Sequence, residues 1–210
     1  MGRYQARSLM RQAEVAVKPK QRFKATTDSR HGYPVAPNRL DRQVTVAAPD
    51  RGWAAAISYR WTAEGWWYVA VVMDLYSRRV IGWSLADHRR VDLVKEALTM
   101  ALWRRQPKAG LIHHSDRGSQ YACHHYQALL TKHSILCSRS RQGDCGDNAV
   151  VERCFGSLKS ERTDQRLYQT RAEAKGDVID YSERFYNSRR RHAYLGYLSP
   201  MEFETRAAVA

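Results

Sequence analysis

Two carboxylates and a lysine have the types and the spacing that could bind metal ions beside a phosphodiester. Asp116 follows a short predicted strand at residues 111–114, and Glu152 comes later with 35 residues between the two acids. Lys159 lies seven positions after Glu152, which on a helix returns to nearly the same face. Carboxylate oxygens suit hard Mg²⁺, and paired ions can clamp both oxygens of a phosphoryl transfer. Two acids seldom hold two ions, so we expect a third acid on a neighbouring strand.

Each acid also has an ordinary explanation, as a turn residue for Asp116 and a solvated helix charge for Glu152. His113 and His114 could suggest a metal-dependent hydrolase, but neighbours on a strand point to opposite faces, so at most one shares the side of Asp116. The four cysteines are too widely spaced for a paired-cysteine zinc motif or a disulfide framework. A zinc site that uses His124, His125 or His133 remains an alternative.

The charge of the chain points to a polyanionic partner. Thirty-five Lys and Arg against 21 Asp and Glu give a net charge of +14 over 210 residues. Residues 1–48 hold ten of these bases and three of the acids, so half of the excess lies in this arm. DNA is the first expected partner and an anionic membrane the second. An apolar share of 43% argues against disorder, and no run approaches the ~18 apolar residues of a membrane span. Without a signal peptide, we expect a bacterial cytoplasmic, nucleoid-associated protein.

Periodicity predicts a mixed sheet flanked by helices. A short basic helix at residues 3–16 precedes an extended basic segment at residues 18–49, which is either a DNA-contacting arm or a solubilising tail. The core then alternates strands and helices. Its predicted strands are residues 53–60, 66–75, 79–85, 111–114 and 135–138, and its predicted helices are residues 91–106 and 120–132.

The second half of the chain is predicted to be mainly helical. A polar loop at residues 138–146 leads to a helix at residues 148–160 with Asp147 as its N-cap. One stripe of this helix is predicted to be buried, and the adjoining face carries the functional side chains. The buried stripe is Val151, Cys154, Phe155 and Leu158, and the adjoining face is Asn148, Glu152, Gly156 and Lys159. A helix at residues 171–186, a basic and aromatic loop, and a final helix capped by Ser199 follow.

Several segments, in order, resemble one known family: WAAAISY, EGWWYVAVVMDLYSRRVIGW, GLIHHSDRGSQYA, GDCGDNAVVERCFGSLKSE and FYNSRRRHAYLGYLSPMEF. They are similar to bacterial transposases of the insertion-sequence-three group, in the product of its second reading frame. The resemblance covers residues 33–205. It implies an α/β, ribonuclease-H-like integrase core with a five-stranded mixed sheet. It also implies that Asp116 and Glu152 are catalytic metal ligands and that Lys159 contacts DNA.

The resemblance places the first catalytic acid three residues after Trp53, where this chain has Ala56. The intact family site is expected to hold two Mg²⁺ or Mn²⁺ ions, and an alanine methyl offers no ligand. Asp74 and Asp50 lie in neighbouring segments and are not expected to substitute. We therefore expect a chain that binds DNA and does not cut it. The alanine would be either an engineered inactivation or natural decay.

The resemblance implies a DNA transposase that cleaves a strand at the element end and transfers the freed 3′-hydroxyl, working as a dimer or larger assembly. The expected domains are a basic arm with the end of a truncated DNA-binding region (1–48), the core (49–165) and a basic helical extension (166–210). Dense charge in the extension predicts DNA contacts, whereas its tyrosines are expected to pack. The alternatives are a ribonuclease-H-like nuclease and a catalytically silent DNA-binding regulator. The DNA candidates are Arg189, Arg190, Arg191 and His192, and the tyrosines are Tyr186, Tyr194 and Tyr197.

Overall fold

The computed structural model describes residues 2–14, 36–41, 44–141 and 148–209. Residues 15–35, 42 and 43 of the predicted basic arm lie outside the described ranges, as does the predicted N-cap Asp147. Within them, the first helix, α1, spans Arg3–Gln12. No helix in the described ranges is both long enough and apolar enough to cross a membrane.

A five-stranded sheet forms the centre of the molecule, as predicted. Its strand order is β3-β2-β1-β4-β5, in which β1, β2 and β3 pair antiparallel while β4 and β5 run parallel to β1. Strands β1, β2 and β3 form an antiparallel meander because their apolar runs are joined by tight turns. The parallel strands β4 and β5 need helical crossovers instead. The strands are β1 Gly52–Thr62, β2 Gly65–Asp74, β3 Val80–Ala86, β4 Ile112–Ser115 and β5 Leu136–Arg139.

Helices cover both faces of the sheet, so the central strands are buried on both sides. One face packs against α2 and α4, around Trp53, Ala55 and Leu98. The other face packs against α5 and α6, around Ala56 and Phe155. The helices after α1 are α2 Val91–Arg105, α3 Ser119–Ala122, α4 His124–Lys132, α5 Ala149–Glu161, α6 Arg171–Asp180 and α7 Pro200–Val209.

Helix α2 lies unusually close to β3 at Gly82. A Cβ built on Gly82 would lie 2.1 Å from the carbonyl oxygen of Ala97 and 2.9 Å from the Cβ of Ala101. No side chain larger than hydrogen fits there without moving the helix. Gly82 therefore fixes how closely the first crossover helix packs on the sheet.

An ion-pair network fastens α7 to the ends of β2 and α2. Arg105 forms ion pairs with Asp50 at 2.8 Å and Glu204 at 2.9 Å. Glu204 also accepts a hydrogen bond of 2.6 Å from Ser77. The buried Asp74 carboxylate accepts backbone hydrogen bonds from Asp50, Tyr76 and Ser77. The final helix is thus held to the core by buried polar contacts, and Ser199 caps it through reciprocal bonds with Glu202.

The described end of the predicted arm belongs to the packed core. Leu40 is buried, and the backbone N–H groups of Arg39 and Leu40 both donate to Ser138 Oγ. Val46 contributes to the same core from the segment before β1.

Three local predictions need correction. The helix predicted at residues 120–132 is two helices, because the backbone of Cys123 is extended with φ −59° and ψ 140°. The loop predicted to begin at residue 138 begins later, since Ser138 and Arg139 are buried in β5. The helix predicted at residues 171–186 changes to π-helical turns at Tyr181–Tyr186. Polar residue types at 138–140 concealed the buried strand end from the periodicity.

Candidate active site

The strand register brings position 56 next to Asp116. Ala54 pairs with His114 and Ala55 with Ser115 in the parallel ladder between β1 and β4. One more step of that register sets Ala56 beside Asp116, which follows the last residue of β4. Because side chains alternate along a strand, both residues face the side of the sheet that α5 covers.

A tight turn holds the Asp116 carboxylate. Its Oδ1 accepts a hydrogen bond of 2.9 Å from the backbone N–H of Gly118. A Cβ at Gly118 would meet that same oxygen at 3.0 Å and the Oε1 of Gln120 at 2.9 Å. The absence of a side chain at Gly118 therefore lets the turn close around the acid. The sequence contains Gly118, but no spacing rule marked it as part of the site.

Helix α5 presents Glu152 in its first turn, while the stripe predicted to be buried is buried. Asn148, just before the helix, is buried and donates from Nδ2 to the carbonyl oxygen of Ala55 at 3.3 Å. This contact ties the start of α5 to the strand that carries Ala56. The Oδ1 of Asn148 has no hydrogen-bond partner among the described residues.

Glu152 and Asp116 are close enough to repel each other. The pKa of Glu152 is raised above its ordinary value, first by partial burial and second by the negative charge of Asp116. Glu152 is nevertheless solvent-exposed as a residue, so its carboxylate lies at the rim of the core. Two like charges at one sheet edge form a place where a cation would be favourable.

The acids at this edge do not complete a metal site. Within the described part of the chain, no group of three or more His, Cys, Asp or Glu side chains is arranged to hold a metal ion. Asp116 and Glu152 supply the right donor type, but Ala56 contributes no oxygen where a third carboxylate would face them. The residues present therefore do not fit a two-ion centre.

The structure places Asp74 away from this edge. Asp74 pairs with Trp53, three residues before Ala56, and Ala56 pairs with Val71. Burial raises the pKa of Asp74, against the lowering effect of its backbone hydrogen bonds and of Arg105. Its carboxylate belongs to the network that holds α7, in agreement with the prediction that it is no substitute.

The two histidines before Asp116 point to opposite faces, as alternation predicts. The ring of His113 bonds the hydroxyl of Tyr126 at 3.0 Å, under α4. His114 lies on the Asp116 side, where its two ring nitrogens contact the hydroxyls of Ser138 at 2.9 Å and Ser140 at 3.0 Å. Both rings are buried in packed surroundings, which explains them without a metal.

Lys159 lies further along α5 and is half-buried. Its Nζ is 5.9 Å from the centre of the Tyr59 ring, on the strand that carries Ala56. Burial, followed by the nearby Arg60, lowers the pKa of Lys159. A desolvated ammonium next to an aromatic ring is well placed to bind an anion.

The four basic candidates of the C-terminal loop have different surroundings. Arg190 forms a forked pair with Glu161, with contacts of 2.8 and 3.0 Å, and this pairing raises the pKa of Arg190. The His192 ring packs edge-on against buried Tyr186, and burial lowers its pKa to about 4. Arg189 and Arg191 are exposed, and Arg191 donates a surface hydrogen bond of 3.2 Å to the carbonyl oxygen of Tyr197. The structure thus separates two exposed arginines from two side chains engaged within the fold.

The packing expected for the three loop tyrosines holds for one of them. Tyr186 is buried, but Tyr194 and Tyr197 are 55% and 66% exposed. From the surface, the Tyr194 ring stacks on the guanidinium of Arg78, 4.3 Å from the ring centre, and its hydroxyl bonds the Thr45 hydroxyl at 2.9 Å.

The strand order, the helices on both faces and the acids at one sheet edge define a ribonuclease-H-like integrase core. Solved structures agree. The chain aligns with the magnesium-bound HTLV-2 integrase catalytic core domain with a TM-score of 0.57 and 15% identity, covering 75% of this chain and 97% of that one. A chain in the simian T-cell lymphotropic virus intasome bound to PP2A regulatory subunit B56 gamma aligns with a TM-score of 0.64 and 15% identity, covering 85% of this chain and 60% of that one. The predicted fold class is confirmed.

Sequence comparison identifies the family within this fold. Two models described as integrase core domain match residues 46–145 and 152–207. The chain is 39% identical over 203 residues to the insertion element IS600 uncharacterized 31 kDa protein of Shigella sonnei, spanning 97% of this chain and 75% of that protein. It is 42% identical over 201 residues to transposase InsF for insertion sequence IS3A of Escherichia coli strain K12, spanning 96% and 69%. The chain belongs to the integrase-core transposases of bacterial IS3-type insertion sequences.

Proposed function

We propose that this chain is a DNA transposase core of an insertion sequence, and that Ala56 leaves it able to bind DNA but not to cut it. The observation that supports this best is that position 56, Asp116 and Glu152 meet at one edge of the sheet. The register sets Ala56 beside Asp116, and Glu152 is close enough for the two carboxylates to repel. The family site is expected to need three acids at this edge, and this chain has two acids and a methyl group there.

In this proposal Asp116 and Glu152 are the remaining metal ligands, and Mg²⁺ or Mn²⁺ is the ion of the intact site. Carboxylate oxygens at the rim of the core match the ligand preference of such hard cations. Because the third ligand is absent, no reaction step of this chain is assigned to bound metal. Asn148 keeps α5 against β1, and the Gly118 turn orients Asp116, so the two acids are held ready for the missing ligand.

DNA is the proposed substrate because the charge and the site agree. The chain carries +14, and half-buried Lys159 lies on the helix that carries Glu152. A polyanion that follows this face would approach Lys159 and the two acids together. A homo-oligomer on paired DNA ends and a location at the nucleoid are parts of the same proposal.

The direct test restores the acid. Ala56→Asp would set three carboxylates facing one another, so with Mg²⁺ or Mn²⁺ the variant should nick supercoiled plasmid and join 3′-hydroxyl ends. The parent chain should show neither activity. Ala56→Asn, of similar size but without charge, and the double variant Ala56→Asp with Glu152→Gln are the matched controls, and both should stay inactive. A restored variant that binds DNA yet neither cuts nor joins it with either metal would refute the proposed chemistry.

A second candidate, a silent DNA-binding regulator, is favoured specifically by Ala56. Such a protein would occupy the DNA of its active relatives and block their access. Mixing the parent chain with the Ala56→Asp variant tests whether the parent can act in this way: it should suppress cleavage at sub-saturating DNA, in proportion to the parent chain added. Unchanged cleavage at a large excess of parent chain excludes this role.

A ribonuclease-H-like nuclease would instead cut an RNA–DNA hybrid in preference to duplex DNA.

A further inference from the structure

Four aromatic side chains line one face of the β1–β2 hairpin beyond the part covered by helices. We call this set the aromatic strip: Tyr59, Trp61, Trp66 and Tyr68. Tyr59 pairs with Tyr68 and Trp61 with Trp66 across the two strands. The rings are in contact along the strip, with centroid separations of 5.1 Å for Trp61–Trp66, 5.3 Å for Tyr59–Trp66 and 6.1 Å for Tyr59–Tyr68.

The strip is open to solvent at its outer end. Trp61 is 58% exposed and Trp66 is 46% exposed. Cross-strand aromatic packing alone explains why the rings touch each other. It does not explain why two tryptophans are left largely in water when the same sheet buries Trp53 and Trp67 completely or nearly so. Exposed rings that form a contiguous surface are available to a partner.

The strip begins three residues from position 56 on the same strand. Strand β4 pairs only with Gly52–Ala55 of β1, so among the described residues no strand pairs with this edge of β1 beyond Ala55. This unpaired edge of β1 runs from the position beside Asp116 to Tyr59, whose ring lies on the α2 face of the sheet, opposite the face of Ala56. Lys159 reaches the Tyr59 ring from α5, although α5 packs on the opposite face of the sheet. A cation from the helix that carries Glu152 thus lies beside the first ring of the aromatic strip.

The hairpin that carries the strip is held in place. Its tip donates from the Ala63 N–H to the carbonyl oxygen of Tyr168, and the Arg171 N–H donates to the Glu64 carboxylate at 2.8 Å. The Arg171 guanidinium also donates to the carbonyl oxygen of Trp66 at 3.3 Å. These bonds fasten the tip to the segment before α6, so the rings are presented on a fixed support.

We propose that the aromatic strip is a stacking platform for unpaired nucleotides of a DNA strand whose phosphate at the base of the strip is held by Lys159. This rests on the proposed function, because the strand would be one that enters the site beside Asp116. Bases stack on exposed aromatic faces regardless of sequence, while a nearby cation holds the backbone. The strip recognises frayed or single-stranded ends and leaves duplex binding to the basic surfaces.

The test compares two labelled DNAs by fluorescence anisotropy at one salt concentration, using the whole chain. One is a blunt duplex, and the other is the same duplex with three unpaired nucleotides at one 3′ end. The parent should prefer the overhang. Trp61→Ala and Trp66→Ala should each lose about tenfold in affinity for the overhang DNA and little for the blunt DNA. Trp61→Phe should keep most of the preference. Trp103→Ala, at a tryptophan that is 78% exposed on α2, is the matched control and should change neither affinity.

The outcomes separate the strip from the proposed function. If the parent binds neither DNA, both ideas fail. If it binds both DNAs equally, or if the Trp61 and Trp66 variants behave like Trp103→Ala or weaken both DNAs equally, the strip is not a stacking platform and the transposase proposal stands. If Trp61→Ala instead converts an oligomer to a monomer in sedimentation and leaves the overhang preference intact, the face is an interface between copies. Unchanged circular dichroism and thermal unfolding identify variants that are folded.

Discussion

At the scale of single residues, Arg139 combines a charged side chain with nearly complete burial. It is 1% exposed, and none of its three guanidinium nitrogens has a hydrogen-bond partner among the described residues. Burial is the main cause of the pKa shifts of three neighbouring rings, and the positive charge of Arg139 acts on each of them. It adds to the lowering of the pKa of His113, and it works against the raising of the pKa values of Tyr121 and Tyr126. A buried guanidinium without hydrogen bonds destabilises the folded state.

Replacing Arg139 with methionine should therefore stabilise the protein. Arg139→Met keeps the length of the side chain and removes the charge, and we expect the free energy of unfolding to rise by about 1–3 kcal/mol. Arg139→Lys, which keeps the charge, should give no such gain. Urea unfolding at pH 7.5 measures both. A loss of stability in Arg139→Met would mean that the arginine has a stabilising partner in solution.

His113 should make stability depend on pH. Burial, followed by the charges of His114 and Arg139, lowers the pKa of His113 from 6.5 to about 3. Between these values the unfolded chain binds the proton more readily than the folded chain does. The free energy of unfolding should therefore fall as the pH drops below about 6.5, by up to about 1.4 kcal/mol per unit for this group.

Urea unfolding at pH 7.5 and 5.0, on the parent and on His113→Gln, isolates this contribution. The variant retains a polar group near Tyr126 and cannot titrate in this range, so its loss of stability between the two pH values should be smaller. Equal losses in both proteins would show that His113 does not carry the effect.

At the scale of elements, the contact between α2 and β3 tolerates no added atom. Gly82→Ala would drive a Cβ into the backbone of Ala97, so we expect a loss of about 2–3 kcal/mol in the free energy of unfolding. The matched control is Gly156→Ala on the exposed face of α5, where a Cβ meets nothing within 4 Å. That change should stabilise the helix by about 0.5–1 kcal/mol. If thermal unfolding shows Gly82→Ala to be as stable as the parent, the space between β3 and α2 accommodates a methyl group and close packing at Gly82 is not what holds α2 in place.

The elements were predictable from sequence wherever an apolar run or an apolar helical stripe is bounded by polar turn residues. All five strands and the helix that carries Glu152 lie within a few residues of their predicted positions, because their apolar residues face one or both cores. The break at Cys123 was not predicted, since no Gly or Pro marks it. The buried end of β5 was also missed, because Ser138 and Arg139 have the polar residue types of a loop.

The site was predictable only in part. The spacing of Asp116 and Glu152, with helical periodicity around the latter, indicated two acids that could meet at one sheet edge. The turn at Gly118 and the bond from Asn148 to β1 depend on contacts between distant segments, which periodicity does not reveal. The same is true of the C-terminal loop, where sequence alone could not distinguish exposed Arg189 from Arg190, which is paired with Glu161.

At the scale of the whole molecule, the difference between the exposed arginines and the paired Arg190 predicts which arginines bind DNA. Arg189→Ala and Arg191→Ala remove exposed charges, so each should weaken duplex binding and reduce the slope of log affinity against log salt by about one. Arg190→Ala should mainly lower the melting temperature, because it removes the ion pair with Glu161 and leaves that carboxylate, among the described residues, only its hydrogen bond from Tyr181. Titrations at several salt concentrations, with thermal unfolding of each variant, decide this. An unchanged slope for Arg189→Ala and Arg191→Ala would place the DNA on another face.

The network around Asp74 has a consequence for the order of folding during synthesis. Its closing partner, Glu204, lies on α7, which leaves the ribosome after every strand of the sheet has been made. Until then Arg105 and Ser77 each lack one of their partners. The nascent core therefore remains incomplete until its last helix docks. A chain ending at Ser199 should consequently stay susceptible to proteases and chaperone-bound, whereas Glu204→Gln in the full chain should fold more slowly yet reach the same structure.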